Sequence, residues 1–248
     1  MRIPAVLAAF VACLPAVASA ETEIRASFEN PATAADYEGD WPIWSRVRLK
    51  NARSGRSEES LARGSLALTW HLDVDPGGFF LGDMPAVADI DNDGRSDLVT
   101  IQRDRELGWR VLVADLPMNG IEFLTEARFA PAITEVVLLG VADFDGDGLQ
   151  EIAAVASGDN VDALLIYRWQ GAGKPLAVIG PFMGFAPGPV DAGPRLRECD
   201  GKIAFLAAYV DAGVVVAIRP SDKPDTVTYD QVAGSADKAG FAAARACS

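Results

Sequence analysis

The chain has one histidine, His71, among its 248 residues, and three cysteines, Cys13, Cys199 and Cys247. A histidine-based triad would have to run through His71, and no Gly-x-Ser-x-Gly turn is present to supply its nucleophile. The cysteine spacing excludes a zinc site of the paired-cysteine type. Basic residues are also scarce: 22 Lys and Arg against 35 Asp and Glu give a formal net charge of −13. That balance argues against nucleic acid or an anionic membrane surface as a partner, because both need a basic face. After the first twenty residues there is no apolar run of about eighteen residues, so no further membrane span is expected.

Those first twenty residues have a single Arg2, an apolar run from Ala5 to Val17 broken only by Pro15, and the small triplet Ala18, Ser19, Ala20. The pattern is that of a secretory signal peptide over 1–20, which implies a secreted or periplasmic protein. A lipoprotein modified at Cys13 fits less well, since Phe10 is a poor lead-in and the positive segment is very short. Without this leader 228 residues remain, a length that suits one domain. In an oxidising compartment Cys199 and Cys247 read as a disulfide across 48 positions, with two unpaired thiols as the alternative.

What the chain does have is acid in a regular pattern. VADIDNDGRSDLV at 87–99 returns as VADFDGDGLQEIA at 141–153. Asp89, Asp91 and Asp93 precede Gly94, with Asp97 after it; Asp143, Asp145 and Asp147 precede Gly148, with Glu151 after it. Four acids within nine residues repel one another unless a cation sits among them. Calcium takes six to eight oxygen ligands, and acids at positions 1, 3 and 5 with Gly at 6 let a tight loop wrap it. Solvated turn residues are the plainer reading, and the matched register of two copies speaks against it.

The period is 54 residues from Asp89 to Asp143. Each unit reads as strand, acidic loop, strand, polar turn, strand, and then a fourth apolar stretch, over about 79–133 and 134–183. A third unit, about 184–235, keeps the period but loses the acids: the matching positions are Leu196, Glu198 and Asp200, so a metal-free loop is expected there, fixed instead by the bridge from Cys199. Residues 21–40 read as a polar lead-in with little periodicity, 41–49 and 65–74 as strands, and 50–64 as a loop or short helix. Four short strands per unit match a β-propeller blade, and 41–248 has material for about four. The stretch 225–235 offers a further strand that could join the first blade and close the ring. A parallel β-helix fits less well because its coils are much shorter.

An EF-hand requires Glu at position 12, but the loops have Thr100 and Ala154 there, and their fourth acid falls at position 9. That combination resembles the FG-GAP or VCBS repeat, the calcium-loop blade of the integrin α-subunit type of β-propeller, over about 79–205. The resemblance implies two calcium ions. One would be held by the side chains of Asp89, Asp91, Asp93 and Asp97 and the carbonyl of Arg95, the other by those of Asp143, Asp145, Asp147 and Glu151 and the carbonyl of Leu149. Seven blades are usual in that family, so a shorter chain implies a small ring or an open array that pairs with a second copy.

The functional expectation is an all-β, calcium-stabilised binding module for a protein or a glycan, with the metal structural. An enzyme acting on polysaccharide, a lyase or hydrolase, is the alternative. His71 and Trp41, Trp44, Trp70, Trp109 and Trp169 are expected as strand-face or core side chains.

Overall fold

Runs such as VVLLGVA at 136–142 and IAAVAS at 152–157 are apolar at successive positions, as befits strands buried from both sides. The computed structural model describes residues 22–53, 69–117, 120–158, 161–223 and 225–247 and folds them as an all-β chain of three antiparallel sheets. The expected signal peptide at 1–20 and most of the polar tract at 50–64 lie outside the described residues.

The first sheet contains β1 (Thr22–Pro31), β2 (Ile43–Arg53), β3 (Thr69–Asp73), β4 (Phe79–Ala88), β5 (Asp97–Asp104), β6 (Gly108–Asp115) and β7 (Glu122–Arg128). Its order is β1-β2-β4-β5-β6-β7, with β3 also paired to β2. The second runs in sequence through β8 (Ile133–Ala142), β9 (Glu151–Gly158), β10 (Val161–Arg168) and β11 (Ala177–Met183). In the third, β12 (Phe185–Ala186) and β13 (Leu196–Cys199) both pair with β14 (Lys202–Tyr209), followed by β15 (Val214–Pro220) and β16 (Val227–Ala233). An α-helix, α1 (Lys238–Arg245), follows β16 near the end of the described residues. Among the described residues no helix is long and apolar enough to cross a membrane.

The sheets stack because the middle one is apolar on both faces. From β9, Ile152, Ala154 and Ala156 share one core with Val99, Ile101, Val111 and Trp109 of the first sheet. The alternate residues Ala153 and Val155 belong to a second core with Phe205, Ala207, Val216 and Ile218 of the third. The period-2 alternation of a strand sends neighbours to opposite cores.

Each outward face of the stack is covered by the chain's own ends. The first sheet curls so that Val47 and Leu49 of β2, with Ile24, Phe28, Trp70 and Leu72, lie over Phe80, Leu98 and Leu112. On the third sheet, Phe241 and Ala244 of α1 cover Leu206, Val215 and Ala217. The helix begins at Asp237, whose carboxylate accepts the Gly240 amide at 2.8 Å, and is tied back by the Cys199–Cys247 disulfide.

Four expectations change. Residues 22–31 are a strand rather than a loose lead-in: Ile24, Ala26 and Phe28 form a short apolar alternation set among charges. The strands of 41–78 build no sheet of their own, because Ile43 and Trp44 pair directly with Leu81 and Phe80, so the described residues form three sheets instead of about four. The strand within 225–235 pairs with β15 and completes the third sheet without reaching the first. The third acidic remnant is not a loop: β13 and β14 join through a two-residue turn at Asp200 and Gly201, with φ of 53° and 70°, the left-handed pair of a type I′ hairpin. Cys199 therefore ends a strand, and its bridge holds the helix.

Candidate metal centres

The first acidic stretch connects β4 to β5 and the second connects β8 to β9, in each case two hydrogen-bonded neighbours of one sheet. Each is closed at its base by strand pairing, Ala88 opposite Asp97 in one and Ala142 opposite Glu151 in the other. This pairing places the position-9 acid directly beneath the loop. The position-2 residue pins the loop to the core: Ile90 is buried among the first-sheet residues, and Phe144 packs on Phe205 at 5.0 Å between ring centroids.

The loops repeat one hydrogen-bond scheme. Asp97 Oδ2 accepts the Ile90 amide at 2.8 Å and Glu151 Oε2 accepts the Phe144 amide at 2.9 Å. Asp89 Oδ2 accepts from Gly94 at 2.9 Å, and Asp143 Oδ2 from Gly148 at 3.1 Å. Asp93 Oδ1 and Asp147 Oδ1 each accept the amide two residues on, from Arg95 and Leu149, at 2.8 Å. Positions 4 and 6 need left-handed backbone: Asn92 and Gly94 have φ of 58° and 84°, Gly146 and Gly148 80° and 91°. Asn and Gly tolerate that region best, which explains their recurrence.

These turns bring carboxylate oxygens of Asp89, Asp91 and Asp97 within 4.8 Å of one another, and likewise those of Asp143, Asp145 and Glu151. The position-5 acids stand outside both groups. Asp93 pairs with Arg95 at 2.6 Å. Of the predicted ligand side chains, the structure thus gathers positions 1, 3 and 9.

Asp97 is 1% exposed and Glu151 fully buried. Burial pushes the Asp97 carboxyl up to about 7, against the pull of the Ile90 amide, and Asp91, Asp115 and Asp89 push it further. Burial likewise raises Asp91, with Asp93 adding to it. Glu151 is raised by burial and held back by the Phe144 amide and Arg168. Each group is an all-oxygen donor set with a deep carboxylate at its base, so a hard divalent cation fits its chemistry.

Two residues missed in the sequence finish the sites differently. Asp115 stands opposite Asp97 across the β5–β6 pair and takes Arg95 at 2.7 Å. The matching place in the second sheet holds Arg168, opposite Glu151, whose guanidinium donates to Glu151 Oε1 at 2.9 Å and also reaches Asp145. Hairpin register was the signal: counting back from the turn at 105–107 sets Asp97 against Asp115.

His71 lies elsewhere, its Nε2 3.8 Å from Glu29 in the outer curl of the first sheet. Trp41 and Trp109 are buried in the core between the first two sheets, with Trp169 packed partly buried against it, and Trp44 and Trp70 pack partly buried against the core inside the curl of the first sheet. No protein family, curated protein or solved structure matches the chain.

Proposed function

We propose that this chain is a calcium-stabilised repeat protein of FG-GAP/VCBS character, with propeller-like blades, exported to a secreted or periplasmic location and acting as a binding module for a protein or glycan. The observation that carries the reading is the pair of three-carboxylate groups in the β4–β5 and β8–β9 connections, each including one buried acid, Asp97 or Glu151. The Cys199–Cys247 bridge suits an oxidising compartment. The Asp89, Asp91 and Asp97 group and the Asp143, Asp145 and Glu151 group would hold calcium as a brace between strands. Their loops sit at strand junctions, and the lone histidine lies outside both, so the polysaccharide-enzyme alternative gains no support from them.

The test is thermal melting with calcium and with a chelator. Two sites at about 100 times their dissociation constants would add roughly 5 kcal/mol, a shift on the order of 10 °C for a domain this size. Asp91→Ala combined with Asp145→Ala should melt like the chelated protein and give no calcium heat by calorimetry. An unchanged melting curve in both experiments sinks the calcium reading.

A further inference from the structure

Two strands, β4 and β8, lose regular pairing beside the segment that leads into β13. The register of β4 shifts between Leu81 and Ala86, and that of β8 between Leu138 and Gly140. The third sheet contributes Gly193, Pro194 and Arg195, just before β13. Between them lies a half-open cavity of about 300 Å³ whose walls include Trp41, Pro85, Leu138, Val141 and Leu196, with Asp83 and Met84 on its exposed mouth.

Arg195 lines this apolar space and is only 4% exposed. Its Nε donates to Pro187 O at 2.7 Å, Nη2 to Pro189 O at 2.5 Å, and Nη1 to Gly193 O. The guanidinium lies over the rings of Phe241 and Trp41, 4.7 and 5.5 Å from their centroids. Among the described residues it forms no ion pair: Asp83 and Asp191 act on it only at a distance, and Asp191 is taken by Lys238 at 2.8 Å. Burial lowers its pKa to about 10. A guanidinium has five N–H donors, and the three carbonyls use one on each nitrogen. One hydrogen remains on each terminal nitrogen, leaving two charged N–H donors without a partner among the three carbonyls.

We propose that this cavity binds a small apolar carboxylate, its head group on Arg195 and its hydrocarbon body against Trp41, Leu138 and Leu196. One guanidinium matches one negative charge. A phosphate would bring a second charge into an apolar wall, with Asp83 opposing it at the mouth. The proposal stands apart from the cation loops, so failure of calcium binding leaves it untouched.

The experiment uses octanoate as probe and 1-octanol as its uncharged counterpart, followed by calorimetry and by tryptophan fluorescence, since Trp41 is in the wall. Octanoate should bind saturably at one per chain, and octanol roughly tenfold more weakly or worse. Val87→Phe fills the cavity from a wall residue outside the packed clusters; folded by circular dichroism, it should lose octanoate binding. Replacing Arg195 is a poorer probe because it frees three carbonyls. Failure of octanoate to saturate the wild type, equal binding of octanol, or wild-type octanoate affinity in folded Val87→Phe overturns the proposal.

Discussion

Glu151 stands directly opposite Arg168 in the second sheet, and the guanidinium donates to its buried carboxylate at 2.9 Å. At the same place in the first sheet the pair is Asp97 and Asp115, acid against acid. Arg168 therefore engages two of the three gathered acids of its loop, Glu151 and Asp145, whereas the cation of the first loop, Arg95, pairs with Asp93 and Asp115 and leaves Asp89, Asp91 and Asp97 to themselves.

Calcium titration should accordingly proceed in two steps, with the first-sheet loop filling at lower concentration. Asp115→Asn should weaken that step. Arg168→Met should tighten the second step by about tenfold while lowering melting temperature without calcium, because it leaves Glu151 buried and unpaired. Calorimetry showing two equal sites in wild type would contradict this.

Thr100 is fully buried in β5, and its Oγ1 has no hydrogen-bond partner. Valine has the same shape without the hydroxyl. Thr100→Val should raise stability by about 1 kcal/mol, read as a higher denaturant midpoint at unchanged slope.

Glu126 receives Arg110 Nη1 and Arg128 Nε, both at 2.5 Å. Burial alone would raise its carboxyl, but the two guanidiniums outweigh it and hold the group below the usual carboxylate range. A depressed acid stabilises the fold above its unfolded pKa and loses that contribution as pH falls through the folded value. Glu126→Gln should thus cost on the order of 1 kcal/mol near neutral pH, with the gap to wild type closing in acid. A pH-independent gap would show the pairs contribute through packing alone.

Cys199 and Cys247 are 48 positions apart. Reduction, or serine at both, should lower stability by about 4 kcal/mol from loop entropy alone. Because the bridge anchors α1, amide exchange in 238–245 should accelerate first.

The strands of the three units were legible because their apolar runs and turn residues recur with a fixed period. The two loops were legible because their acids recur in one register with Gly94 and Gly148, positions where the backbone is left-handed. The first strand was not, since Ile24, Ala26 and Phe28 alternate with charged neighbours and are buried by β2 through a long-range pairing that no local window contains. The third loop misled because Gly201, which falls one period after Gly148, belongs to a two-residue hairpin turn and not to a loop between strands. Asp115 and Arg168 belong to the sites through register, which depends on turn length more than residue type. Arg195 gave no pattern at all: its surroundings come from the three elements converging on it.

The covered faces at both ends of the stack have a consequence for how such a chain could vary. Phe241 finishes one end and the curl of β1 to β3 finishes the other, so neither face depends on meeting the other. The number of middle sheets is then free of any angular constraint. A duplicated copy of 134–183, buried on both faces as the present one is, would lengthen the array by one sheet between the same two ends.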